Sequence, residues 1–262
     1  MGEGEKLFTD GEAYERRMGR WSRIVGEAFL DWLAVPKGLR WLDVGCGNGA
    51  FIEVLIVRCA PAAVSAIDPS DGMLSYARGR AGTKLAEFHV GDAQSLPYAD
   101  RTFDAATMAL AISFIPDPLK AVTEMKRVVR PGGSVATYMW DLPGGGIPIE
   151  PMYRALKSLD IAVSLPGVEV SRLENMRAIW EKAALQSIDT RVIRITVVYT
   201  DFEDFWQSFN VPEGPSGMAI RKMSPSEIER LKDRLGEQLP IGPDRHIAYE
   251  AFANAVSGRV PS

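Results

Sequence analysis

The chain has 262 residues, enough to bury a sizeable core as one domain carrying an elaboration. Its formal charge is −4 and its pI about 5.4, with the basic residues scattered, so nothing in it reads as an electrostatic footprint for nucleic acid. No apolar run is long enough to span a bilayer and no secretory pattern opens the chain, which points to a cytoplasmic protein without a membrane partner, while two cysteines, Cys46 and Cys59, exclude a disulfide framework.

Residues 1–11 are polar and acidic and read as a loosely held tail. From Tyr14, the spacing of Met18, Trp21, Val25, Phe29 and Trp32 puts one apolar face on a helix, with Arg16, Arg17, Arg20 and Arg23 largely elsewhere. Glu3, Glu5, Asp10, Glu12 and Glu15 argue against a transit peptide. A short apolar run then breaks into Leu42-Asp43-Val44-Gly45-Cys46-Gly47-Asn48-Gly49, followed by the helical pattern Phe51-Ile52-Val54-Leu55. Glycines 45, 47 and 49 permit left-handed turns and a close approach of backbone to a ligand. The loop feeds a helix N-terminus, whose N–H groups suit a carboxylate or phosphate. Gly45, Gly47 and Ala50 also satisfy the relaxed dinucleotide fingerprint, so two nucleoside cofactors compete; Asp43, able to accept hydrogen bonds from a cationic amine, tips the balance. Cys46 has no histidine near it in sequence and reads as a small side chain where backbone meets ligand.

Val64-Ser65-Ala66-Ile67 reads as a buried second strand ending at Asp68-Pro69, a carboxylate able to take both hydroxyls of a ribose. Ser70 or Asp71 caps a helix in which Met73 sits one turn in. The third strand, Leu85–Val90, contains His89, more readily a structural residue than a catalyst, and ends at Gly91-Asp92-Ala93. Phe103–Leu110 is the fourth strand; its carboxyl end, with Met108 and Ala109, opens onto the same crevice. Asp117-Pro118 starts a helix that ends at Arg130-Pro131-Gly132-Gly133, and Ser134–Tyr138 is the fifth strand.

After Trp140 and Asp141 a glycine- and proline-rich hinge introduces a largely helical insert through about Gly167. A helix from Ser171 and an alternating strand around Ile193, Ile195 and Val197 follow. Asp201–Phe209 is an acidic-capped helix with aromatic side chains, Ser224-Pro225-Ser226-Glu227 is a capping box, and 247–256 suits a closing strand.

The Asp-x-Gly-x-Gly-x-Gly run at Asp43, Gly45, Gly47 and Gly49, the Gly-Asp-Ala triplet at 91–93, the Arg-Pro-Gly-Gly turn and the entry segment Tyr14–Arg23 resemble the class I S-adenosylmethionine (SAM) methyltransferases. The nearest likeness is the type-11, quinone C-methyltransferase-like branch that acts on small molecules, over roughly Tyr14 to Tyr138. The resemblance implies an α/β fold: a Rossmann-like, doubly wound, seven-stranded, mostly parallel sheet with an antiparallel last strand and a helical insertion between strands five and six. It divides one domain into 1–35, a tail and cofactor-capping helix; 36–141, the SAM-binding core; and 142–262, an insertion or lid with the final strands. It implies SAM as cofactor, S-adenosylhomocysteine as product and a small-molecule methyl acceptor as partner, with no metal. By the same resemblance Tyr14 and Arg20 close over the methionine end. Asp43, Gly45, Cys46, Gly47 and Gly49 form the turn, and Asp68 and Pro69 meet the ribose. Met73, Asp92 and Ala93 face the adenine, and Met108 and Ala109 the methionine moiety.

A sulfonium methyl is already activated, so catalytic side chains are optional. An acceptor that must lose a proton would call for a base, for which Asp141 and His246 are the candidates, each also readable as a solvated loop residue. Many relatives carry histidine at the positions of Ser113 and Phe114; this chain does not, nor does it carry the proline-rich strand-four motif of enzymes that methylate adenine, cytosine or glutamine amides. Tyr138, Trp140, Phe202, Phe205, Trp206 and Phe209 are expected to help form an aromatic lid over an apolar substrate. The alternatives are a SAM-binding regulator without catalysis and an NAD-dependent oxidoreductase.

Overall fold

The computed structural model describes residues 10–209 and 214–262. Most of the expected tail therefore lies outside the described residues. Its last part is not tail: Asp10 caps helix α1 (Gly11–Tyr14), its carboxylate accepting from the Glu12 and Ala13 amides at 2.9 and 3.1 Å. A wide π-helical turn, Glu15–Gly19, then leads into α2 (Arg20–Leu33), which ends at Ala34 in the left-handed conformation.

The strands are β1 (Arg40–Val44), β2 (Ala63–Asp68), β3 (Ala86–Val90), β4 (Phe103–Ala109), β5 (Val129–Trp140), β6 (Gln186–Tyr199) and β7 (Ile247–Arg259). They form one sheet in the order β3-β2-β1-β4-β5-β7-β6, in which β7 runs antiparallel to both its neighbours and the other pairings are parallel. Chain order reverses between β1 and β4, so the crossovers through α3 (Ala50–Cys59) and α5 (Pro118–Val128) run in opposite directions, and their right-handedness puts the two helices on opposite faces. Helix α4 (Asp71–Gly79) links β2 to β3, and α7 (Leu173–Lys182) packs beside α5. Strands β1 and β4 are buried almost throughout, with Trp41, Leu42, Ala105 and Met108 at 0% exposure, as continuous apolar runs covered on both faces require.

The expected architecture holds, with one extension. The β5–β6 connection contains α6 (Glu150–Ser158) before α7, but the longer β6–β7 connection carries α8 (Phe202–Gln207), α9 (Gly214–Ile220) and α10 (Pro225–Gln238). Helix α10 starts at the expected capping box and packs on α6, so two insertions join over the carboxyl ends of the strands. Strands β5 and β6 are longer than expected because β7 pairs along both, up to Trp140↔Ala253 and Tyr199↔Ile247.

Candidate cofactor and acceptor site

A cavity of about 440 Å³ opens where the chain order reverses, at the carboxyl ends of β1, β2, β4 and β5. Its floor is the glycine turn after β1. Gly45, Gly47 and Gly49 have φ of +71, +52 and +79°, and a Cβ on Gly45 would stand 2.6 Å from the Ala111 Cβ. Gly49 lets α3 lie close to α4, since a Cβ there would come within 3.1 Å of the Ala77 Cβ.

Five amides of this turn and the helix start after it are engaged inside the protein. Gly45 and Cys46 donate to the Ile67 carbonyl at 2.8 and 3.1 Å, Gly49 to that of Cys46 at 3.1 Å, and Ala50 to Asn48 Oδ1 at 3.2 Å. Gly47 donates at 2.9 Å to Asp68 Oδ2, whose other oxygen accepts from Ser70 N at 2.9 Å. These bonds fix the Asp68 carboxylate at the cavity wall, while burial raises its pKa. Beneath the turn, Asp43 is fully buried; Thr107 Oγ1 donates to its Oδ1 at 3.2 Å, and Oδ2 has no hydrogen-bond partner among the described residues. Burial, helped by the nearby Asp68 charge, pushes Asp43 up to about 8. With these five donors engaged and two buried carboxylates beside it, the turn is a poor cradle for a pyrophosphate. It suits hydroxyls and a cation.

Other expected residues are distributed around this floor. Tyr14, Cys46, Pro69, Met73 and Ala109 line the cavity. Tyr14 reaches Ser22 Oγ at 3.4 Å, and burial raises its pKa as it raises that of Cys46. Met108 faces the core with 0% exposure, so only Ala109 of that pair reaches the cavity. Asp92 and Ala93 follow β3 outside the enclosed space, where the Asp92 carboxylate accepts from the Gln94 backbone and side chain.

Three expectations are corrected. Arg20 lies outside the cavity, its guanidinium stacked 4.2 Å from the Trp21 ring centroid and 4.4 Å from that of Tyr199, with Asp204 at 3.6 Å. Arg17 lines the cavity instead. Asp141 accepts from the Gly144 amide at 2.9 Å in the hinge and does not line the cavity, and exposed His246 pairs with Asp244 at 3.1 Å. The aromatic set divides too: Tyr138 and Trp140 line the cavity, whereas Phe205 packs on Tyr199 and Phe209 on Phe205, and none of Phe202, Phe205, Trp206 and Phe209 is in its wall.

The sequence reading missed Arg17, Asn48, Leu110, Tyr153 and Ser216. Leu110, at φ +56°, had no signal, because strained backbone of this kind is set by its surroundings: its amide is held by the Tyr138 carbonyl at 2.9 Å. Tyr153 and Ser216 sit on the two insertions, and long-range packing brings them there.

Residues 42–137 match the family model described as a methyltransferase domain. The demethylmenaquinone methyltransferase of Renibacterium salmoninarum is 36% identical over 61% of this chain and 66% of its own length. A ubiquinone/menaquinone biosynthesis C-methyltransferase of Roseobacter denitrificans is 36% identical over 42% of this chain and 46% of its own. The chain thus spans less than two thirds of these relatives. Among solved structures, phosphoethanolamine N-methyltransferase 2 of Haemonchus contortus, in complex with S-adenosyl-L-methionine, superposes with a TM-score of 0.58 at 20% identity, over 96% of this chain and 56% of that one, a likeness of fold. Residues 42–137, which carry the glycine turn and the strands around the cavity, thus match a methyltransferase domain, set in a sheet ordered β3-β2-β1-β4-β5-β7-β6.

Proposed function

We propose that this protein binds SAM and transfers its methyl group to a small-molecule acceptor. The observation that carries the reading is the glycine turn: the amides of Gly45, Cys46, Gly47 and Gly49 are engaged internally and two buried carboxylates, Asp43 and Asp68, flank it. Asp68 would hold the ribose hydroxyls, Asp43 would balance the positive charge from beneath, and Tyr14 would cover the cofactor from the N-terminal segment. When bound, SAM supplies a methyl group already activated on a sulfonium. The chain then has to orient an acceptor and exclude water. Trp140, Leu142, Ile147 and Ile149 wall the remaining space, an enclosure that favours an enzyme over a regulator.

The titratable side chains of the cavity wall are tyrosines 14, 138 and 153, Cys46, Asp68 and Arg17, and burial raises the pKa of every acid among them. Asp68, the one carboxylate among them, accepts from the Gly47 and Ser70 amides and is assigned to the ribose, which leaves none of these groups free to serve the acceptor as a base. The acceptor therefore reacts as a nucleophile already ionised or intrinsically electron-rich, and quinol-like or phenolic rings fit this requirement. A cytoplasmic location accords with the described helices, none of which is long and apolar enough to cross a membrane.

The test is calorimetric titration of SAM and, separately, NAD into the wild type and Asp68→Ala. Saturable SAM binding is expected, weakened about tenfold to a hundredfold in the variant, as loss of a charge-assisted pair of hydrogen bonds implies. NAD binding in place of SAM would overturn the proposal.

A further inference from the structure

The cavity is electrostatically divided. Its floor is acidic, and its far wall carries one buried cation, Arg17, which is 4% exposed and stands on the π-helical turn between Tyr14 and Met18. The Arg17 guanidinium donates to Ser216 Oγ at 2.6 Å and lies beside the Phe209 ring, 6.0 Å from its centroid. Tyr153 lines the same wall, its hydroxyl within the influence of both Arg17 and Ser216, which draw its pKa down against the upward push of burial. Tyr153 comes from α6 and Ser216 from α9, one from each insertion, so the group belongs to the part of the cavity furthest from the glycine turn in origin.

Burial lowers the Arg17 pKa, yet a guanidinium remains protonated at working pH. A fork of N–H donors beside the Tyr153 hydroxyl, braced from behind by the fully buried Ser216, in a wall that also carries Leu142, Ile147, Ile149 and Pro215, is a strong recognition element for an anionic oxygen on an apolar body. It also favours the ionised form of a bound acid, whose proton leaves to solvent, and so supplies what the absent base does not.

We propose that Arg17 and Tyr153, with Ser216 positioning the guanidinium, form an acceptor subsite that takes the anionic oxygen of a small apolar acid, a phenolate, enolate or carboxylate. This rests on the methyltransferase reading and specifies its substrate class.

The experiment is calorimetric titration of the full chain saturated with S-adenosylhomocysteine, using 1-naphthoate, its neutral isostere 1-naphthalenecarboxamide, and 1-naphthol at rising pH. The wild type should bind naphthoate about tenfold more tightly than the carboxamide, the scale of one charge-assisted hydrogen bond. Naphthol that gains affinity as pH approaches its ionisation assigns the oxygen to a phenolate; naphthoate preference without that gain assigns it to a carboxylate. Arg17→Gln should abolish both preferences while S-adenosylhomocysteine affinity stays within about threefold, and Arg17→Lys should restore part of them. Equal binding of charged and neutral probes to the wild type overturns the proposal. So does Arg17→Gln losing nucleoside affinity while keeping the naphthoate preference, which would assign the guanidinium to the cofactor's carboxylate. Should Arg17→Gln not fold, Tyr153→Phe decides: unchanged naphthoate binding counts against the subsite, and weakened binding supports it. Failure of S-adenosylhomocysteine to bind the wild type, measured before any probe is added, sinks the methyltransferase reading itself.

Discussion

At the scale of single residues the site turns on Asp43, a carboxylate that the sheet buries completely. Burial is the first cause of its raised pKa, near 8, with the Asp68 charge adding and the Thr107 hydroxyl opposing. The folded protein therefore holds a proton that the unfolded chain releases near the ordinary carboxylate value of 3.8. Between those two values the native state binds more protons than the unfolded state, and stability falls as pH rises. The melting temperature of the ligand-free wild type is expected to drop from pH 5 to pH 8. Asp43→Asn should flatten most of that slope, leaving the smaller contributions of Asp68 and Glu150, whose pKa values are also raised by burial. A cation arriving above the turn favours the ionised carboxylate, so SAM binding near neutral pH should release protons, measured as a dependence of the binding enthalpy on buffer ionisation heat. A wild-type melting temperature that climbs over that window would contradict the assignment of Asp43 as a protonated acid.

Among the elements, the N-terminal segment decides whether the cavity is closed. Its π-helical turn brings Glu15 into contact with Arg23 and Arg80, and Asn48 Nδ2 donates to Glu15 Oε2 and to the Gly11 carbonyl, both at 3.1 Å. Arg80, at the end of α4, donates to the Asn48 carbonyl at 2.7 Å and pairs with Glu53 of α3 at 2.7 Å. The network thus latches the segment that carries Tyr14, Arg17 and Met18 onto the glycine turn. Glu15→Ala leaves Arg80 its Glu53 partner, so the fold should persist while SAM dissociates about tenfold faster in stopped-flow chase experiments; an unchanged off-rate would show that the latch does not gate the cofactor. The same turn explains what the sequence concealed. The glycine turn, the strand-end carboxylate Asp68 and the caps at Ser70, Asp117 and Ser224 are written in local patterns, and the structure places them where those patterns lead. Arg17 was read off the wrong face because a regular helix was assumed from Tyr14 onward. A π turn holds more residues than an α turn and re-aims everything before α2, so Arg17 turns inward and Arg20 stacks on Trp21 and Tyr199.

The cavity is shared between a sheet half that forms its floor and two insertions that add Tyr153 and Pro215 to its wall, on the side proposed for the acceptor. Sequence patterns located a helical insert after β5 and the helices α8 and α10, but neither α9 nor the meeting of the insertions, because the contact between α6 and α10 joins segments separated by a long strand. They also gathered six aromatic residues into one lid, when four of them belong elsewhere. Trp206 lies 5.2 Å from the Lys232 ammonium on α10, and Phe205 packs edge-on to Tyr199. Leu231, fully buried on α10, is part of the core under the insertions, while the groups at the glycine turn belong to β1, β2, α3 and α4. If the halves are energetically separable, damage to one should spare the ligand of the other. Leu231→Ala is expected to lose about 2–4 kcal/mol of stability in calorimetric melting, the cost of a cavity left by a buried leucine. S-adenosylhomocysteine affinity should stay within about threefold, while 1-naphthoate affinity falls by more than tenfold as Tyr153 and Ser216 lose their fixed spacing. Trp206→Ala, which removes no part of the wall, should change neither affinity. Equal losses of both ligands in Leu231→Ala would mean that the insertions and the sheet respond as one unit, and that the acceptor wall helps to hold the cofactor as well.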